Sequence, residues 1–232
     1  MTNYWDERFL RHMDRNRMNV VFEVGARYGD ESLVLSNIFP NADIYSFECN
    51  PMTVDICRQK LQGQRNIHFF DFGLGNVNAV LPFYSYTQQN DGASSFFKRI
   101  DYEHTQKLTG YMNIRTLSDV ACEHNITTVD LLCMDIQGYE LNVLKGCGSL
   151  LSEVKYVIME EPKREINTQY LPKDTYSKYI GAPSADDIQV FMTQHNFVEL
   201  ERIDENAIED NVLYVNEKRY VRNIEGQCQT NI

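Results

Sequence analysis

Short runs of β-branched and aromatic residues alternate along this chain with stretches whose apolar positions recur at helical spacing. Residues 19–24 (Asn-Val-Val-Phe-Glu-Val) are apolar without strict alternation, as a parallel strand buried on both faces would be. Gly25 and Gly29 mark a turn, and residues 30–39 continue as a helix closed by Pro40. The unit repeats: a strand over 42–47, a helix over 52–61 with Pro51 in its first turn, and a strand over 66–70. Residues 79–85 form a fourth strand, which Pro82 places at or near a sheet edge. The polar stretch 87–109 reads as loop and short helix. The pattern then predicts a helix over 117–125, the most apolar strand over 130–134, a helix over 140–151 and a strand over 154–159. Ser184, with Asp187 three residues on, marks a helix start, and 197–203 with 212–217 pair as an antiparallel hairpin. At the front, Trp5, Phe9, Leu10 and Met13 recur among charges, which predicts an N-terminal helix within residues 1–18.

Alternating strands and helices imply an α/β fold, a Rossmann-like doubly wound and mostly parallel sheet with a C-terminal antiparallel hairpin. At 232 residues the chain suffices for one such domain, read as spanning 1–232. The polar segment 163–182 exceeds an ordinary connection and reads as a lid or substrate loop, where Tyr170, Tyr176 and Tyr179 could stack on sugar rings.

Charge and cysteine usage narrow the partners. A net charge of −11 argues against a nucleic-acid substrate, which clustered Lys and Arg would hold, and favours a small neutral or weakly polar one. No stretch is apolar over the roughly twenty residues that a membrane span needs. The first nineteen residues have no apolar core of a secretory signal, so the chain reads as cytoplasmic, in the host cytoplasm if viral. Cys49, Cys57, Cys122, Cys133, Cys147 and Cys228 contain no C-x-x-C pair and read as reduced thiols.

The polar clusters fall where the strands end, which is where such sheets bind ligands. Gly25 and Gly29 let backbone approach a ligand closely. The middle glycine of a dinucleotide fingerprint is replaced by Arg27, and an acid, Glu23, precedes Gly25. An acid there suits the cationic amino-acid group of S-adenosylmethionine better than a pyrophosphate. Glu48, some twenty residues on, stands where an acid binds ribose hydroxyls. Asp71 and Phe72 follow the third strand and could bracket an adenine ring. Ser94, Ser95 and Tyr139 would face the cleft if the loops fold over it. Asp135 ends the most apolar strand, and Glu160 and Glu161 end the next.

Ile114-Arg-Thr-Leu-Ser-Asp119, then Val129-Asp-Leu-Leu-Cys-Met-Asp-Ile-Gln-Gly-Tyr-Glu140 and Val143-Leu-Lys-Gly146, resemble the FkbM-type methyltransferases. Glu23, Gly25, Gly29, Glu48 and the run Phe72-Gly-Leu-Gly-Asn76 fit the same pattern, so the resemblance covers about residues 20–162. It implies a class I fold, S-adenosylmethionine as cofactor, and methyl transfer to hydroxyls, often of sugars or polyketides. It also implies a module that works beside glycosyltransferases. Three positions depart from the pattern: Cys133 stands where the family usually has Lys, Gln137 where it has Glu, and Ser118 where Asp is frequent.

A sugar hydroxyl is a poor nucleophile at pH 7 and needs a general base or a metal beside it. Asp135 is the first candidate base, with Glu160 and Glu161 next; His104 and His124 are weaker ones. Converging carboxylates could instead hold Mg²⁺ or Mn²⁺. The base is favoured, because Gln137 removes the second acid from the Asp135 turn. Two other readings compete: a nicotinamide-dependent oxidoreductase, and a non-catalytic adenosyl-binding module of a glycan-building protein.

Overall fold

The computed structural model describes residues 5–86, 91–99, 106–165 and 179–220; His104, Tyr170, Tyr176, Cys228 and most of the expected 163–182 loop lie outside them. In chain order the elements are α1 (Glu7–Leu10), β1 (Val20–Val24), α2 (Asp30–Ile38), β2 (Asp43–Phe47), α3 (Val54–Leu61), β3 (Ile67–Phe70) and β4 (Gly73–Leu74). They continue as β5 (Ala79–Ser85), β6 (Lys107–Arg115), α4 (Leu117–Glu123), β7 (Val129–Met134) and α5 (Glu140–Gly146). The last are β8 (Val154–Pro162), α6 (Ala185–Gln194), β9 (Phe197–Asp204) and β10 (Glu209–Asn216).

Seven strands form the central sheet in the order β3-β2-β1-β7-β8-β10-β9. Pairings from β3 through β8 are parallel, and β10 runs antiparallel to both of its neighbours. The strand order reverses between β1 and β7, and that switch point is where an open α/β sheet leaves a crevice. β7 shows why its sequence is apolar from Leu131 to Met134. Leu131 and Cys133 pack with α1, α2 and α3 residues such as Phe9, Leu35 and Cys57. Leu132 and Met134 pack on the other face with Leu117, Leu144 and Ile188. A strand covered on both faces has no polar side to show.

The expected strands 19–24, 42–47, 66–70, 130–134 and 154–159, and the terminal hairpin, are all present, and Ser184 and Asp187 form a reciprocal capping box on α6. Three expectations need correction. The N-terminal helix shrinks to Glu7–Leu10 plus a 3₁₀ turn at Arg15–Arg17, because Asp6 and Asp14 each spend a carboxylate capping a separate short turn. The helix read over 140–151 ends at Gly146 and gives way to a 3₁₀ segment, Gly148–Glu153. The end of the polar stretch 87–109 runs into a strand, β6, which joins β4 and β5 in a second, three-stranded sheet. β5, with Pro82, is an edge of that sheet, as its proline requires.

Gly146 explains the end of the Val143-Leu-Lys-Gly146 run. A Cβ there would stand 1.9 Å from the carbonyl oxygen of Gly75, so only glycine lets the end of α5 lie against the end of β4.

Candidate active site at the switch point

A cleft of about 360 Å³ opens at the carboxyl ends of β2, β1, β7 and β8. Its floor is the turn after β1. Gly25 adopts φ +96°, and a Cβ on it would sit 2.2 Å from the carbonyl oxygen of Asp135. The N–H groups of Gly25 and Ala26 both donate to the Phe47 carbonyl, at 2.9 Å each, which ties the turn to the end of β2. Arg27 and Gly29 also take positive φ, so the chain reverses sharply before α2 begins.

Two buried glutamates brace this turn. Glu23 Oε2 accepts from the hydroxyls of Ser32 (2.5 Å) and Ser46 (2.7 Å), joining β1 to α2 and β2. Its other oxygen, Oε1, is buried and has no hydrogen-bond donor. Glu48 accepts from the N–H groups of Arg27 and Asn50, 2.6 Å each. Burial pushes both carboxyls up to about 7. An orphaned buried acceptor, a glycine cradle and a lip acid are what a cationic adenosyl cofactor would require of this protein, and the residues fit it. The balance of charge agrees: Glu23, Glu31, Glu48, Asp135, Glu160 and Glu209 line the cleft against Arg27 and Arg99.

Beyond the turn stands the Asp-x-x-Gly-x-Glu element. Asp135 is held by its own N–H, which donates to the Val24 carbonyl at 3.0 Å. Gln137, at φ +56°, points its amide at two carboxylates: Nε2 donates to Asp135 Oδ1 at 2.7 Å and to Glu160 Oε2 at 2.9 Å. Gln137 Oε1 accepts from the Tyr179 hydroxyl at 2.5 Å. Glu140 is a strut of the turn. It is buried, accepts from the N–H groups of Ile136 and Gly138, and is pushed by burial to about 8.

The structure thus brings Glu23, Gly25, Glu48, Ser94, Asp135 and Glu160 together around one cleft. Gly29 sits beneath it, where its N–H donates to the Ala26 carbonyl and closes the turn. Four further candidates lie elsewhere. Asp71 is exposed and paired with Arg58 at 2.8 Å. Phe72 packs against Phe47 and Phe70. The small apolar recess beside Glu48 is instead lined by Cys49, Gly73, Leu74, Phe83, Phe96 and Ile136. Glu161 projects from the opposite face of β8 to Glu160, as strand alternation demands. There it accepts from Tyr214 Oη (2.6 Å) and Arg202 (3.1 Å). His124 is packed against Tyr45 and Phe70, outside the cleft lining. Among the described residues, no group of three or more His, Cys, Asp or Glu is arranged to hold a metal ion.

Sequence reasoning missed Asn50, Arg99, Trp5, Asn206 and Glu209 as cleft residues. Asn50 stands close enough to Glu48 to have been noticed. The others arrive from segments remote in sequence, and no local pattern marks them.

Comparison with known proteins gives this geometry a family. Residues 23–199 match the Methyltransferase FkbM domain. The chain is similar to the 2-O-methyltransferase NoeI of Sinorhizobium fredii, 21% identical over 163 residues that cover 66% of this chain and 67% of that protein. It is also similar to the hexuronic acid methyltransferase AglP of Haloferax volcanii, 24% identical over 183 residues that cover 78% and 69%. In fold it is similar to the fibrillarin of Aeropyrum pernix, solved with S-adenosyl-L-methionine, with TM-score 0.51, 14% identity, and 90% and 73% of the two chains covered. The nicotinamide reading finds no support in these matches.

Proposed function

The chain belongs to the FkbM methyltransferase family, and on that premise we propose that it uses Asp135 as general base to methylate a hydroxyl of a sugar or glycan. S-adenosylmethionine is the methyl donor; when bound it supplies an electrophilic methyl group on a sulfonium. The names of the two relatives support the acceptor class, one a 2-O-methyltransferase and the other a hexuronic acid methyltransferase. Carrying the reading for the base is the Gln137 bridge, which holds the Asp135 and Glu160 carboxylates side by side next to the glycine turn.

The roles divide along the cleft. Glu48, held by backbone N–H groups including those of Arg27 and Asn50, lines the cleft and would take the ribose hydroxyls. The unpartnered Oε1 of Glu23 would take an N–H of the amino-acid end. The apolar recess beside Glu48 suits the adenine face. Asp135 would take the proton of the acceptor hydroxyl, and bound S-adenosylmethionine would supply the methyl group and depart as the neutral thioether. Gln137, tied also to Glu160 and Tyr179, holds Asp135 in place, and alignment supplies much of the rate. We read the whole chain as one such domain.

Transfer of labelled methyl to a panel of sugars, in wild type and Asp135→Asn, tests the assignment. The variant should lose roughly a hundredfold or more in kcat while binding S-adenosylhomocysteine normally by calorimetry. Wild-type turnover in the variant would remove Asp135 as base.

A further inference from the structure

The cleft lining reaches past the residues proposed for the cofactor. It runs from Glu48 beside β2, past Glu23 on β1, Asp135 after β7 and Glu160 on β8, to Asn206 and Glu209 at the β9–β10 turn. Four interstrand gaps separate β2 from β10, about 19 Å at ordinary sheet spacing. With the adenosyl group on the β2–β7 side, as proposed above, the β8–β10 side is left for the acceptor.

Trp5 also lines this cleft. It is the only tryptophan in the chain. The segment after it is firmly anchored: Phe9 and Leu10 are buried, the Tyr156 hydroxyl donates to the His12 carbonyl at 2.6 Å, and His12 contacts Glu201 on β9. The indole itself packs against the core cluster on that face of the sheet. A fixed polar pair lines the same cleft. Asn206 Oδ1 accepts from the N–H groups of Ile208 and Glu209 (3.0 and 3.1 Å), while its Nδ2 donates to Glu209 Oε2 at 3.0 Å. Glu209 is largely buried and also lines the cleft.

An aromatic plane and an amide–carboxylate pair in one cleft are the chemistry that recognises a sugar ring. The C–H face lies on the aromatic surface, and planar polar groups take the hydroxyls. We propose that Trp5, Asn206 and Glu209 form the acceptor subsite, with Trp5 as the platform for a pyranose ring whose reacting hydroxyl reaches Asp135. The inference rests on the sugar-methylating reading above. It adds a residue upstream of the FkbM match, which begins at residue 23.

A single tryptophan makes the site its own reporter. Full-length protein saturated with S-adenosylhomocysteine is titrated with methyl glucoside, methyl galactoside and methyl mannoside while tryptophan emission is followed. Methyl transfer is then measured for wild type, Trp5→Ala, Trp5→Phe and Glu209→Gln. At least one glycoside should change the emission. Trp5→Ala should raise the acceptor KM about tenfold, Trp5→Phe should restore most of it, and the Kd for S-adenosylhomocysteine should stay unchanged in both. Glu209→Gln keeps the aromatic platform and should still raise the acceptor KM. An unchanged acceptor KM in Trp5→Ala, or an equal weakening of S-adenosylhomocysteine, overturns the subsite alone. A wild type that methylates none of the glycosides overturns the subsite together with the sugar reading.

Discussion

Replacing Gln137 by glutamate changes one NH₂ group to an oxygen and leaves the size and shape of the side chain alone. It keeps Oε1, and so the bond from the Tyr179 hydroxyl. At the other end it converts two donor bonds, 2.7 Å to Asp135 and 2.9 Å to Glu160, into contacts between anions. Each lost bond to a charged group is worth about 1.5–3 kcal/mol. Two unit charges about 3 Å apart repel by roughly 5 kcal/mol at an effective dielectric near 20. Three carboxylates cannot all ionise under that load, so the cluster keeps a proton into the neutral range. Sharing the repulsion over three groups and screening it by the open side of the cleft leaves a rise of about two pH units in the apparent pKa of the base. In Gln137→Glu the acid limb of the kcat/KM profile for methyl transfer should therefore move up by about two pH units. Activity should fall at the acid end of the profile and recover as pH rises. The profile is measured with labelled cofactor in wild type and variant over the same pH range. A limb that does not move, with activity either intact or lowered equally at every pH, would refute the idea that this amide governs the base.

The other expectations are briefer. Glu160→Gln should impair turnover, whereas Glu161→Gln should leave it near wild type, because Glu161 faces Tyr214 and Arg202; steady-state kinetics decide. Arg202→Ala strands that buried carboxylate and should cost about 3–5 kcal/mol in urea denaturation, with a cost below about 1 kcal/mol counting against a structural role. Burial holds the Glu23 and Glu48 carboxyls at about 7, above their ordinary 4.5, so between these values the folded chain keeps protons that the unfolded chain has released. Their contribution to cofactor-free stability is therefore complete at the acid end of that window and is lost as pH rises to 7, by about 1.4 kcal/mol per pH unit for each group. Denaturation at about pH 5, 6 and 7 measures the slope, and a rise in stability would contradict it.

How much of this could be read from the sequence depends on burial. β1, β2, β7 and β8 are covered on both faces and announce themselves as apolar runs. β6 does not, because most of its residues lie exposed or half-exposed in the small second sheet. Glu160 and Glu161 were indistinguishable for a related reason. Tyr156 to Met159, just before them, are all apolar, so these neighbours do not reveal which parity faces the cleft, and the packing of Arg202 and Tyr214 decides it. Asp71 and Phe72 sit at a strand end like the residues that line the cleft. The aromatic stack with Phe47 and Phe70 draws Phe72 inward, however, while Asp71 turns out to Arg58. The Asp135 turn was legible in full except for what Gln137 does, since its partner Glu160 is 23 residues away.

The place of β10 between β8 and β9 bears on how the protein is made. β9 leaves the ribosome first but has no strand of the central sheet to join until β10 arrives, and β8 keeps one bare edge until the same moment. Residues 209–216 thus act as a keystone. The strand that carries Glu160 is fixed on both sides only after they have been synthesised. A nascent chain stopped at Asp204 would display two unpaired edges, the kind of surface that invites aggregation and recruits chaperones. Completion of the sheet and completion of the candidate catalytic pair are a single, late event.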